Sequence, residues 1–236
     1  MSNPPKILLA SPVSEKKDYI LSEWLSMLHK FSYPNYDIYL VDNSKDPEYH
    51  KKIWEYGIEC NHIEPKGRAP EFIAASQNLL RQRFLRGNYD YFFSLECDNF
   101  APPNVMELLL SFKKDNVNIP YFLKQGASTT LGVQHIIHNS QRRRVAKPMS
   151  PWDSVLEFDG KLKHYYAPSI GCSLFSKRLM QQVRFRVDPM QPGTFSDSFF
   201  HMDSNTKGIK PYVYMGAIAE HKRWWWDGNK DLVKAA

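Results

Sequence analysis

"YFFSLECDNFAPP" (residues 91–103) passes from an aromatic run through two acids to two prolines. Tyr91, Phe92, Phe93 and Leu95 suit a pleated, buried strand. Glu96 and Asp98 follow at once, separated only by Cys97. In an extended chain alternate side chains share a face, so both carboxylates are expected to point the same way. Two carboxylates that close repel each other unless a cation stands beside them. Mg²⁺ and Mn²⁺ suit such a place, because they take few protein carboxylates and fill their remaining positions with substrate phosphates. The plain alternative is that the acids cap the following helix, "NVMELLLSF", or face water.

Working outward, the run is the fourth strand of an alternating series. "KILLAS" (6–11) is a first strand, and Ile20, Leu21, Trp24, Leu25 and Leu28 recur at helical spacing between Ser14 and Lys30. "YDIYLVDNS" (36–44) is a second strand, and "KDPEYHKKIWEYG" reads as a helix closed by Gly57. "IECNHIEP" (58–65) is a third strand, followed by a helix over 69–86, the strand 88–96 and a helix near 103–114. This βαβαβαβ order predicts an α/β fold: a mixed, mostly parallel Rossmann-type sheet covered by helices on both faces. In such sheets the active crevice lies beyond the carboxyl ends of the strands. Three of those ends are polar: Ser11, Asp42-Asn43-Ser44 and Glu96-Cys97-Asp98. Past residue 120 come strand-like pieces, then "SIGCSLFSKRLMQQV" as a strand entering a helix. "FSDSFFHMDSNTKG" is a helix stopped by Gly208, and "PYVYMGAIAEH" a last strand reaching His221.

With 236 residues, 42% hydrophobic and 14% aromatic, the chain is expected to form one packed domain, 1–236, with no linker or repeat. No stretch reaches the ~20 apolar residues of a membrane span. The N-terminus reads as a strand and not a signal peptide. Cys60, Cys97 and Cys172 lack metal-site spacing and form an odd count, which fits core thiols in a reducing cytoplasm. Charge is uneven. Residues 1–98 carry 12 Lys/Arg against 14 Asp/Glu, and residues 99–236 carry 19 against 11. The second half is therefore expected to face an anionic partner, unless the excess is simply a solvated surface.

The acid-x-acid ending a fourth strand resembles the Asp-x-Asp of GT-A fold glycosyltransferases, which use nucleotide-sugar donors. The resemblance runs over roughly residues 5–223 as ordered landmarks, with 1–98 as the donor half and 99–236 as the acceptor half and tail. It implies that Asp98 and Glu96 hold Mn²⁺ or Mg²⁺ on the donor diphosphate, although Glu96 stands where the family has Asp. It implies that Ser11 and Pro12 run beneath the base of a UDP-sugar, and that Asp42 accepts from the uracil N–H or the ribose hydroxyls. Arg68 and Asn78, in "PKGRAPEFIAASQNLLRQRF", match a turn and helix near the diphosphate. Their plain readings are an exposed loop arginine and a helix-face hydrogen bond.

Asp197, eleven residues before Gly208, matches the acid that serves as general base in inverting members. Its plain reading is a helix N-cap, and Asp203 is a weaker alternative base. Ser196 replaces the usual preceding Glu. His221 matches a residue that ligates the metal or touches the diphosphate, and Lys222 and Arg223 could neutralise the leaving group. Gly171 and Cys172 match a small-residue strand near the acceptor. Trp224, Trp225 and Trp226 either stack over the donor or anchor the tail.

The acceptor region, 121–168, combines Arg142, Arg143, Arg144 and Lys147 with Trp152, Tyr165 and Tyr166. Basic groups with nearby aromatics suit a polyanion. Hydroxymethylated pyrimidines in DNA, as in phage-type DNA modification, are one acceptor class; saccharides or anionic lipid-linked glycans are another. Two other readings remain: a nucleotidyltransferase, disfavoured because "SPVSEKK" after the first strand has no glycine, and a non-catalytic nucleic-acid or glycan-binding module.

Overall fold

The computed structural model describes residues 3–125, 128–138, 144–149 and 158–222, with side chains over 3–123 and 158–222. Its first four strands are β1 (Ile7–Val13), β2 (Tyr36–Asp42), β3 (Glu59–His62) and β4 (Tyr91–Leu95). They pair in parallel in the order β4-β1-β2-β3. The helices between them are α1 (Asp18–Leu28), α2 (His50–Trp54) and α3 (Ala69–Arg86).

β1 shows why the sheet is central. Ile7 and Leu9 pack into one core with Trp24, Leu25 and Leu28 of α1. Leu8 and Ala10, the alternate residues, pack into a second core with Ala74, Leu80 and Phe84 of α3. A strand buried on both faces is mostly apolar, as β1 and β4 are apart from Ser11 and Ser94.

Past β4 come β5 (Asn99–Phe100), α4 (Val105–Ser111), β6 (Asn116–Asn118) and a separate antiparallel sheet of β7 (Phe122–Gln125), β8 (Ser128–His138) and β9 (Arg144–Met149). β10 (Leu162–His164), β11 (Cys172–Ser176), α5 (Lys177–Gln182), α6 (Ser196–Thr206), β12 (Tyr212–Tyr214) and β13 (Glu220–His221) complete the described chain. The main sheet has eight strands in the order β10-β12-β6-β11-β4-β1-β2-β3. β11 enters antiparallel between β4 and β6, and β12 pairs parallel with β6. The sheet is mixed and mostly parallel, as the sequence predicts.

Two elements differ from expectation. The helix expected over 45–57 shortens to α2. Asp46 caps a turn by accepting from the Glu48 N–H at 2.9 Å, and Tyr49 N donates to Asp46 O at 3.2 Å, so 46–49 is a tight turn containing Pro47. The expected last strand divides in two. β12 stays in the main sheet, and the chain then turns through Gly216 so that β13 pairs with β5. Gly216 has no room for a side chain, because a Cβ would stand 2.3 Å from the Tyr214 hydroxyl. No helix among the described residues is long and apolar enough to cross a membrane.

Candidate active site

A cleft of about 630 Å³ opens at the carboxyl ends of β1 and β4. Glu96 and Asp98 both line it, but not by strand alternation. β4 ends at Leu95 and residues 96–98 form a turn, closed by Asn99 N donating to Glu96 O at 2.9 Å. β5 then pairs with β13 so that His221 stands opposite Asn99, and Lys222 N donates to Asp98 O at 2.8 Å. This short ladder brings a residue 123 positions distant onto the acid. His221 Nε2 lies 3.1 Å from Asp98 Oδ2, and both side chains are almost wholly buried. Lys17, from the 3₁₀ turn after β1, donates its ammonium to the same carboxylate oxygen.

The two acids are driven apart in acidity. Burial works to raise Asp98, but the hydrogen bond and charge of His221, joined by Lys17, outweigh it and hold Asp98 down at about 2. Burial, followed by the charges of Asp98 and Asp197, pushes Glu96 up to about 7. The Tyr121 hydroxyl and Asn99 Nδ2 both donate to Glu96 Oε2, at 3.1 and 3.3 Å. Glu96 is thereby held against the wall of the cleft, while Asp98 faces the cations.

The residues at Asp98 fit a hard divalent ion. Two neighbouring ligands of an octahedral ion with bonds near 2.1 Å stand about 3.0 Å apart, close to the 3.1 Å between His221 and Asp98. Glu96, Asp98 and His221 do not bring three ligand atoms within 4.8 Å of one another. Asp98 and His221 are therefore the pair that would hold the ion, with Glu96 set back.

Glu96 makes stability depend on pH. Its folded value lies above the ordinary 4.5, so the folded state binds the extra proton between the two values. The associated stability is fully present below about pH 4.5 and is lost as pH rises through about 7. Glu96→Gln should therefore exceed the wild type in stability at pH 8 by about 1–3 kcal/mol and match it near pH 5. Urea denaturation at both pH values checks this, and an unchanged difference would contradict it.

Gly171 is a second fixed point. Its carbonyl accepts from Glu96 N at 3.0 Å. A Cβ there would stand 2.4 Å from Asn99 Nδ2, 2.6 Å from the Tyr121 hydroxyl and 2.7 Å from Glu96 Oε2. All three groups are tied to one another, so Gly171→Ala should cost about 1–3 kcal/mol and lower Tm; an unchanged Tm would show that the three groups can yield.

Asp197 lines the same cleft. It sits in the first turn of α6, where the helix dipole favours negative charge. The N-cap position is Phe195, one residue outside α6, so Asp197 is not the cap. Asp197 accepts from Ser198 N at 2.8 Å, and burial raises its pKa above the ordinary carboxylate value. Buried Ser196 bonds Gln77 of α3 and so fixes the start of α6. Asp203 is instead held by Arg186 through two bonds of 2.7 and 2.9 Å, away from the cleft.

The other expected positions scatter. Pro12 lines the cleft, while Ser11 is buried and donates to the Pro12 carbonyl. Asp42 turns its carboxylate away from the cleft to His62 and Ser44, and its neighbour Asn43 faces in. Arg68 is exposed and paired with Glu71 in a capping box. Asn78 is consumed by backbone groups, donating to Ala74 O and Phe185 O and accepting from Phe185 N. Lys222 pairs with Glu23 and lies 4.0 Å over the Phe100 ring, not in the cleft. Arg144 opens β9; Arg142, Arg143, Trp152 and Arg223 lie outside the described residues, as do Trp224 to Trp226.

Lys17, Gln77, Tyr121 and Phe195 also line the cleft, although the sequence does not mark them, and Asn43 lines it from the polar end of β2. Lys17 is one of two adjacent lysines in "SEKK". Its one distinguishing signal is its place just past the first strand, at the crevice edge.

No protein-family model matches the sequence, and no curated protein matches it. Solved structures do. The mannosyltransferase PcManGT from Pyrobaculum calidifontis, in complex with GDP-Man and Mn²⁺, is 13% identical with a TM-score of 0.59, covering 92% of this chain and 57% of its own. S. aureus TarS 1–349 in complex with UDP is 12% identical with a TM-score of 0.57, covering 91% and 59%. GalNAc-T7 with UDP, GalNAc and Mn²⁺ is 12% identical with a TM-score of 0.65, covering all of this chain and 48% of its own. The chain thus spans about half to three-fifths of the length of these structures. With the eight-stranded sheet and the acid-bearing turn after β4, these likenesses give the chain the GT-A fold.

Proposed function

We propose that this chain is a metal-dependent glycosyltransferase that moves a sugar from a nucleoside-diphosphate sugar, a UDP-sugar foremost, to an acceptor hydroxyl. The observation that carries the reading is the Asp98–His221 pair at 3.1 Å, beside Lys17 and sharing one cleft with Asp197. The metal complexes of the structurally similar mannosyltransferase and GalNAc-T7 support it. Asp98 and His221 would hold Mn²⁺ or Mg²⁺, which supplies positive charge to the leaving diphosphate.

The chain's own residues do the rest. Asp98 is held ionised by its hydrogen bonds with His221 and Lys17 and by the Lys17 charge. Lys17 supplies a second positive charge on the cleft wall. Asn43 and Gln77 offer amide groups to the donor, and the half-exposed Phe195 ring offers a stacking face. Asp197 takes the acceptor proton on a carboxylate oxygen as the acceptor oxygen bonds the anomeric carbon. The bond from that carbon to the diphosphate breaks in the same step, which inverts the centre. Burial raises the pKa of Asp197 toward neutral pH, which makes its carboxylate a stronger base.

The acceptor is anionic in this reading, because the net positive charge lies in 99–236 and the β8–β9 connection carries Arg142 and Arg143 beside Arg144. Hydroxymethylated pyrimidine DNA is the first acceptor to test, and an anionic lipid-linked glycan the second. The experiment incubates UDP- and GDP-sugars with the chain and Mn²⁺ or Mg²⁺, with and without each acceptor, and measures released nucleoside diphosphate. Metal-dependent release supports the transferase, and stimulation by one acceptor identifies its class. No release from any donor would overturn the reading in favour of a binding module.

A further inference from the structure

A cluster of one carboxylate and two imidazoles lies at the end of β2, turned away from the cleft. Strand alternation turns Asn43 into the cleft and Asp42 away from it, among the ends of β2, β3 and α2. There Asp42, His50 and His62 bring one ligand atom each to within 4.8 Å of one another, the only such group among the described residues. Asp42 is wholly buried, and among the described residues it pairs with no lysine or arginine. Its carboxylate accepts from Ser44 N at 2.9 Å on Oδ1 and stands 2.8 Å from His62 Nδ1 on Oδ2.

His50 supplies an independent sign. Its Nδ1 is buried and has no hydrogen-bond partner. A buried polar nitrogen without a partner is destabilising, so a ligand there would recover that loss. The His50 and His62 rings lie 6.0 Å apart between centroids and are inclined by 31°. Trp54 packs edge-on against His50 at 4.5 Å, and its indole N–H is fixed on the Cys60 carbonyl at 2.9 Å. The His50 ring is therefore held beside the other two groups.

We propose that Asp42, His50 and His62 form a zinc site that staples α2 to the edge of the sheet. One carboxylate and two imidazoles are a zinc donor set with a fourth position open to water, whereas Mg²⁺ and Ca²⁺ prefer all-oxygen cages. The ligand atoms, within 4.8 Å of one another, need to shift by about 1.5 Å at most to reach the ~3.3 Å separations of a tetrahedral ion with bonds near 2.0 Å. The place also has need of a staple. β3 is the edge strand, and α2, with five residues, is too short to hold itself. Zinc here would also fix Asn43 on the donor side of the cleft, because Asn43 follows Asp42 directly.

The site shares no residue with the Asp98 cleft, so its test is run in the full-length Asp98→Asn chain. Co²⁺ is titrated in and the visible absorption of four-coordinate cobalt is read, followed by displacement with Zn²⁺. One equivalent should bind and be displaced, and Zn²⁺ should raise Tm. Adding His50→Gln should weaken Co²⁺ binding at least about tenfold and abolish the Zn²⁺ shift in Tm. His50 Nδ1 makes no hydrogen bond in the folded chain, so this variant should fold. His62→Gln should weaken binding similarly. Absence of Co²⁺ binding, or binding that is unchanged in His50→Gln, would overturn the proposal.

Discussion

Asp98→Asn should lower metal-dependent release of nucleoside diphosphate roughly a thousandfold, with the fold intact. Asn keeps the shape and one oxygen of Asp98 but loses the charge that draws the ion. The wild-type carboxylate is held ionised by His221 and Lys17 from two separate elements. Removing that charge leaves Lys17 and His221 with at most a neutral amide oxygen between them. The Mn²⁺ concentration for half-maximal activity should rise steeply as well. Activity and Mn²⁺ dependence measured on the variant check this. Full activity in Asp98→Asn would remove the metal from the account.

Asp197→Asn should slow transfer to the acceptor by about 10²–10⁴-fold while leaving nucleotide affinity nearly unchanged. The amide can still accept from Ser198 N, so the first turn of α6 should stay in place. What it cannot do is take the acceptor proton. The wild type should also show an acidic limb above the ordinary aspartate range, because burial raises the Asp197 value. The protonated form prevails as pH falls through that value and cannot act as base, so the rate falls with it. A kcat/KM profile against pH for both proteins tests the pair of expectations. Near-normal turnover in the variant would exclude Asp197 as base.

The first four strands were legible because β1 and β4 are buried on both faces. Ile7 to Ala10 and Tyr91 to Phe93 are unbroken apolar runs, and the α1 spacing of Leu21, Trp24, Leu25 and Leu28 marks one packing face. The division of the last strand was not legible. β13 leaves the main sheet to pair with β5, and a two-residue ladder carries no periodicity.

The same contrast holds at the site. Asp98, Glu96, His221 and Asp197 stand at strand and helix ends that the resemblance marks, and the structure brings all four to one cleft. Asp42 turns from the cleft and Asn43 into it, because the side taken at a strand end depends on the last residue of register. Arg68 and Asn78 carry suitable chemistry, but Glu71 and the Phe185 backbone consume it, and those partners are visible only in three dimensions. Lys17 and Tyr121 reach the acids from elsewhere in the chain, with no local motif to announce them.

The most direct test of the central claim is calorimetric titration of UDP and GDP into the full chain, with and without Mn²⁺. One nucleoside diphosphate should bind at least about tenfold more tightly with Mn²⁺, and that gain should vanish in Asp98→Asn. Equal affinity with and without the metal, or no binding of either nucleotide, would contradict the account.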